Sequence, residues 1–289
     1  MSKAIHLERK HWLVILASAA LLVLLAFAGK YIPGGVDWSW TFRPASLDLL
    51  AGRSPYQDAG LKAPYAGAPW GLLPLLPLAL LPESAGRGIL FGISLVAFAL
   101  AAIRMGARPL TLVVFLLSPP VWHCLLNANL DWLPLLGFSM PPMWGLFFLA
   151  VKPQMGSILA LFWLVEAWRA GGLRQVVRVF APVTLVLLVS LAVFGLWPLN
   201  MLKATEFTTY WNASLWPYSI PVGLVLTVAA IRRREPRYAM AASPCLSPHV
   251  LFHSWSGALI TLVTSPPEMI AAVVGLWILV GMRAFSVNG

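Results

Sequence analysis

A few ionisable and amide side chains interrupt the apolar runs of this chain, and they are the residues that could do chemistry. Asp37 lies in PGGVDWSW, between two glycines and two tryptophans, just after the first apolar run. A partly buried carboxylate at such a boundary could act as a general base. It could equally be a loop aspartate whose side chain hydrogen bonds to the following turn.

Lys152 is the second such residue, near the centre of the apolar run FFLAVKPQMGSILALF. A lysine in the middle of a bilayer costs about 2.5 to 3.5 kcal/mol on insertion scales, so it usually faces a cavity or a partner. Pro153 removes a backbone donor and opens the helix there, and Gln154 adds an amide. Lys152 could bind a phosphate. Alternatively, it lies near the membrane surface and extends its ammonium to water.

Three further polar groups lie between the apolar runs. Asn129 and Asp131 belong to NANLDW, where they could cap the next helix or line a polar site for a hydroxyl-rich ligand. Arg43 begins RPASLDLLAG, which is predicted to form a short amphipathic helix on the membrane surface. Its guanidinium could meet an anionic head group or water. His249 and His253 have the spacing of two metal ligands on one helix face, but packed histidines explain that spacing better.

The composition indicates an integral membrane protein. Of 289 residues, 60% are hydrophobic and only 10% are charged, whereas about 25% is usual in soluble domains. The net charge of +10 is concentrated in short clusters beside apolar runs, as the positive-inside rule predicts, and does not indicate nucleic-acid binding. The clusters are Lys3, Arg9 and Lys10; Arg104 and Arg108; Arg169, Arg174 and Arg178; and Arg232, Arg233, Arg234 and Arg237. Membrane lipids are therefore expected partners.

The apolar runs predict an all-α, polytopic membrane protein with about eight transmembrane helices in one domain, residues 1–289. The predicted spans are 12–29, 86–103, 109–126, 154–168, 179–197, 215–231, 246–264 and 269–283. Residues 69–82 are short and rich in proline, and residues 130–151 are broken by Met-Pro-Pro-Met. Both are predicted to be short or re-entrant segments.

The same count predicts the orientation of the chain. Both termini are expected in the cytoplasm, and residues 30–68 form an outer loop. Asp37, residues 127–131 and Lys152 then share the outer face. Because irregular backbone at membrane depth is tolerated only where it lines a cavity or is covered by protein, a cavity open to that face is expected.

The order of these motifs resembles a known family. Asp37 is followed by LLAGRSPY, by a proline-rich PW…PLALLP segment, by the asparagine-rich turn, by LAVKPQ and finally by SPCLSPH. Over roughly residues 30–265, this order resembles the GT-C superfamily. Within it, the order is similar to the family 87 polyprenyl-phosphate-mannose-dependent alpha-mannosyltransferases.

The resemblance implies an inverting, metal-independent glycosyltransferase without a cofactor, in the inner (plasma) membrane of the cell. It would transfer a sugar, expected to be mannose, from a polyprenyl phosphate to a lipid or glycan acceptor at the outer face. Asp37 matches the catalytic aspartate. The residues expected to bind substrate are Lys152, Gln154, Arg43, Tyr56, Asn129 and Asp131, with Tyr56 matching the tyrosine after the family's glycine.

Departures from the family pattern support other hypotheses. The family's Gly-Gln-x-Asn turn appears as ANLD, residues 128–131, its late Tyr-Asp is absent near His249, and the chain is shorter than typical members. A shortened relative could be a non-catalytic subunit that scaffolds a complex of membrane proteins. A transporter with broken helices is a third hypothesis, but the paired halves it requires are not found.

Overall fold

The computed structural model describes residues 9–56, 64–201 and 209–288, with side chains described from residue 17 to residue 283. These ranges are helical and contain no strand, which confirms the all-α prediction. The α-helices are α1 (Arg9–Ala28), α2 (Arg43–Leu50), α3 (Leu76–Ala79), α4 (Glu83–Arg104), α5 (Pro109–Leu116), α6 (Pro119–Asn127), α7 (Trp132–Phe138), α8 (Pro142–Leu149), α9 (Pro153–Phe194), α10 (Ile220–Arg233), α11 (Pro236–Cys245), α12 (Ser256–Leu259) and α13 (Pro266–Asn288). Short 3-10 or π-helical turns connect several of them.

Within the described ranges, three helices are long and apolar enough to cross a membrane: α4, α9 and α13. The pair α5 and α6, bent by 54°, would make a fourth if it forms one span. This agrees with a membrane protein but gives fewer spans than the eight predicted. Prolines account for part of the difference, since Pro119 and Pro120 begin α6 at the bend within the predicted span 109–126.

Two other predicted spans are not continuous helices. Residues 215–231 become helical only from Ile220, because Pro217 and the turn around it precede the helix. Residues 246–264 form two 3-10 turns around the single turn of α12. Neither helical segment reaches the roughly 20 residues that a bilayer core requires.

Helix α9 folds back on itself at Gly171-Gly172, where Gly172 has φ +57. Ala160 and Val183 line one cavity, although a straight helix would place them about 35 Å apart. The segment therefore consists of two arms, 153–170 and 173–194, which lie side by side. The first arm contains the predicted span 154–168, and the second contains residues 179–194 of the predicted span 179–197.

The two segments predicted to be short are short in the structure. Residues 69–75 form a 3-10 helix that continues into the single turn of α3. Helices α7 and α8 form a hairpin, and their backbones are in close contact at Gly137 and Gly145. A Cβ at Gly145 would be 2.6 Å from the Gly137 carbonyl oxygen. Each piece is well below the length of a span.

Helices α1 and α4 pack in opposite directions through small residues. A Cβ at Gly29 would collide with the Ser84 carbonyl oxygen, and one at Gly88 would collide with the Leu25 carbonyl oxygen. Small residues spaced four apart let helix backbones approach closely in membranes. The packing places the start of α1 beside the end of α4.

The arginine clusters meet at one end of the bundle, called the basic end below. Arg169 donates to the Ile231 carbonyl at 2.9 Å, which joins the α9 turn to the end of α10. Arg237 donates to the Met105 carbonyl at 3.1 Å, just after α4. The clusters at this end are Arg104 and Arg108; Arg169, Arg174 and Arg178; and Arg232, Arg233, Arg234 and Arg237.

We expect Gly88→Ala to destabilise the bundle, because the added methyl group would push α1 away from α4. Overpacking of this kind costs about 1–3 kcal/mol. Gly275→Ala in α13 is the matched control, since outside its own stretch of helix no atom of the described residues lies within 4 Å of the added Cβ. Thermal unfolding in detergent should show a lower midpoint for Gly88→Ala and an equal or higher midpoint for Gly275→Ala. Equal midpoints for Gly88→Ala and the wild type would contradict this packing.

Candidate functional site

A cavity of about 560 Å³ lies at the other end of the bundle from the basic end. Its lining comes from the loop after α1, the α6–α7 turn, the start of α9 and the segment 247–253. Most of the lining is apolar, but Asp37, Asn129, Lys152 and Gln154 contribute polar groups. The cavity therefore combines charged chemistry with a surface suited to hydrocarbon.

The backbone around Asp37 is anchored on two sides. Gly34 and Gly35 have φ values of +82 and +79, a region that glycine adopts readily, and the Gly35 N–H donates to the Leu126 carbonyl at 2.6 Å. The buried Trp38 indole donates to the Glu83 carbonyl at 3.1 Å. These bonds hold Asp37 between α4 and the α6–α7 turn.

Asn129 links the carboxylate of Asp37 to the ammonium of Lys152. Its Nδ2 donates to Asp37 Oδ2 at 2.5 Å, and its Oδ1 accepts from Lys152 Nζ at 2.5 Å. Ala128 before it has a left-handed backbone conformation, with φ +54, and this turns the chain so that Asn129 is buried in the cavity wall. One amide thus separates the anion from the cation.

Lys152 has a buried partner. Its ammonium forms an ion pair with Asp131, and the side chains are 12% and 0% exposed. The alternative in which Lys152 extends to water is therefore wrong: the ammonium points inward and closes a charge pair. An ion leaving water costs several kcal/mol unless a partner compensates. Asp131 therefore holds the Lys152 ammonium in place.

Asp131 joins the cluster to a histidine. Its Oδ2 lies 2.5 Å from His253 Nδ1, and His253 is 2% exposed. Burial on its own would raise the pKa of Asp131, but His253 and Lys152 together bring that pKa below its ordinary value. Asp131 therefore remains an anion and orients both neighbours.

Two histidines of the site were not among the predicted site residues. His253 stacks on His123 with ring centroids 5.5 Å apart, and both line the cavity. His253 was singled out only for its spacing from His249, and that spacing gave no indication of Asp131. His123 follows the prolines of α6 without any recognisable motif, so only the tertiary structure reveals it.

Not all predicted site residues reach the cavity. Asp37, Asn129, Lys152 and Gln154 line it, and Asp131 lies directly behind Lys152. Arg43 instead donates to the Leu81 carbonyl at 3.3 Å.

Tyr56 also lies outside the cavity lining. It donates its hydroxyl to the Gly67 carbonyl at 2.8 Å and stacks on Trp197 with centroids 5.9 Å apart. Burial raises its pKa, so it stays a neutral hydroxyl that supports the fold.

A second, almost wholly apolar cavity of about 320 Å³ adjoins the first. It lies between α8 and the two arms of α9, and Pro153 and Met201 line both cavities. An apolar space of this kind next to charged groups suits a ligand with a polar head and a hydrocarbon tail.

We expect Lys152→Met to lower the free energy of unfolding by about 3–5 kcal/mol, because Asp131 would remain buried without its cation. Lys152→Met combined with Asp131→Asn should regain much of that loss. The control is Arg53→Met, which breaks an exposed pair with Asp48 and should cost less than about 1 kcal/mol. Denaturation in detergent micelles measures all three, and equal losses for Lys152→Met and Arg53→Met would contradict a buried pair.

Comparison with protein-family models, with curated proteins and with solved structures gave no match to this chain.

Proposed function

We propose that this chain is a membrane glycosyltransferase that moves a sugar, expected to be mannose, from a polyprenyl-phosphate carrier to a hydroxyl of a lipid or glycan acceptor. The observation that carries the proposal is the arrangement of Asp37 and Lys152 on the two sides of the Asn129 amide, in one largely apolar cavity. Such a site offers a base for an acceptor and a cation for a phosphate.

The reaction would be a single displacement. The acceptor oxygen attacks the anomeric carbon while its proton passes to the Asp37 carboxylate. The bond between that carbon and the phosphate oxygen breaks, and its electron pair leaves with the polyprenyl phosphate. Attack opposite to the leaving group inverts the configuration, and the proposed reaction uses no metal.

Lys152 would meet the charge that develops on the leaving phosphate. An ammonium has three N–H donors, and Asn129 and Asp131 account for two of them. The third can face the cavity, which Lys152 lines. Gln154, on the first turn of α9, adds an amide at the same wall. Electrostatic stabilisation of this kind is usually a large part of catalysis.

The second cavity supports a lipid-linked donor. Its walls include Trp70, Leu149 and Leu187, and it begins at Pro153, directly after Lys152. A head group near Lys152 would therefore have an apolar path for its tail, between the arms of α9.

The position of the arginines supports an orientation in the membrane. Cationic residues favour the cytoplasmic side, so the basic end would face the cytoplasm and the cavity would open to the outer face of the plasma membrane. Lipid-linked sugars presented on that face could then reach Asp37.

A second candidate function is that of a non-catalytic subunit of a membrane complex. It is favoured by the internal pairing of Lys152, because an ion pair with Asp131 also serves a purely structural core. The two functions differ in ligand binding: a scaffold would purify with other membrane proteins and would not retain a polyprenyl phosphate.

We expect Asp37→Asn to lower sugar transfer at least about 100-fold, since the amide cannot accept the proton. The measurement is transfer from a synthetic polyprenyl-phosphate mannose in proteoliposomes that contain the purified chain. Asp48→Asn is the matched control, because Asp48 pairs with Arg53 outside the cavity. It should keep wild-type activity.

Transfer by Asp37→Asn at a rate near wild type would overturn the assignment of the base. No transfer by the wild-type protein, together with no retained polyprenyl phosphate and stable co-purification of other membrane proteins, would favour the scaffold instead.

A further inference from the structure

The basic end carries more positive charge than its carboxylates neutralise. Glu166 pairs with Arg169 at 2.7 Å and with Arg234 at 3.7 Å. Glu235 lies 3.8 Å from Arg237. These two glutamates are therefore already engaged by arginines.

Six exposed arginines of this end form no ion pair in the described part of the chain. They are Arg104, Arg108, Arg174, Arg178, Arg232 and Arg233. Arg174 and Arg178 are four residues apart, so they lie one above the other on the second arm of α9. Two guanidinium groups at that spacing repel each other unless an anion lies between them.

Exposed apolar side chains run beside these arginines. Leu173 and Val177 precede Arg174 and Arg178 by one residue each, and they are 66% and 53% exposed. Trp168, on the other side of the α9 turn, is 61% exposed. Tryptophan beside arginine at the end of an apolar helix is typical of the boundary between hydrocarbon and head groups.

We propose that the first turns of the second α9 arm, residues 173–178, bind an anionic phospholipid. The phosphate would be held by Arg174 and Arg178, whose planar guanidinium groups match phosphate oxygens. The acyl chains would lie along Leu173 and Val177, where the arm continues into its apolar length.

The exposed apolar side chains Leu173 and Val177 identify the partner as a lipid. A soluble polyanion would contact only the arginines and leave Leu173 and Val177 in water, whereas a phospholipid would cover the arginines with its head group and the two apolar side chains with its acyl chains. Charge complementarity then selects an anionic lipid over phosphatidylcholine, whose choline would face the guanidinium groups. This site is at the other end of the bundle from the cavity, so it is independent of the proposed sugar transfer.

The experiment is a titration of the purified full-length chain in neutral detergent with tail-labelled phosphatidylglycerol, followed by fluorescence. Each arginine near an anionic head group contributes about fivefold in affinity, so Arg174→Gln combined with Arg178→Gln should weaken binding about 25-fold. Arg174→Lys combined with Arg178→Lys should retain much of the affinity. Labelled phosphatidylcholine should bind weakly and equally to the wild type and both variants.

The matched control is Arg53→Gln, which removes an exposed arginine outside the basic end and should leave binding unchanged. Thermal midpoints equal to that of the wild type would establish that the double Gln variant is folded. Equal binding by the double Gln variant and the wild type would overturn the proposal. Full displacement of the lipid by glycerophosphoglycerol, the head group without acyl chains, would also overturn it, because Leu173 and Val177 would then contribute nothing to the binding affinity.

Discussion

The ion pair between Lys152 and Asp131 constrains the structure around it, because neither charge could be buried without the other. Asp131 lies between α6 and α7, whereas Lys152 directly precedes α9, so the pair ties two distant parts of the chain together. Asn129 extends it to the loop after α1, and His253 extends it to the late segment. Every segment that forms the polar wall of the cavity meets this pair directly or through one side chain.

Helix α4 separates the cavity from the basic end. Its 22 residues rise about 33 Å, close to the thickness of a bilayer core. Glu83 at its start lies against Trp38, next to Asp37, and Arg104 at its other end lies with the arginine clusters. Asp37 and the arginine clusters therefore lie at opposite ends of this helix.

Composition and periodicity predicted the helical class and the positions of the two short segments, because proline and the length of apolar runs act locally. The number of spans was overestimated, since a hydrophobic run such as 246–264 looks the same whether it forms one helix or several short turns. Four predicted site residues do line one cavity. The pairing of Lys152 with Asp131 depends on the fold, and no spacing in the sequence indicates the stack of His123 on His253.

The fold-back of α9 has a consequence for the kinetics of any lipid ligand of the apolar cavity. That cavity lies between the two arms, and the exposed Thr184 belongs to its wall. A tail can therefore arrive sideways from the surrounding hydrocarbon, without its apolar surface ever being transferred to water. Occupancy then depends on the mole fraction of the lipid in the membrane plane, and dilution of the protein in the aqueous volume leaves it unchanged. Exchange would then be limited by two-dimensional diffusion in the membrane.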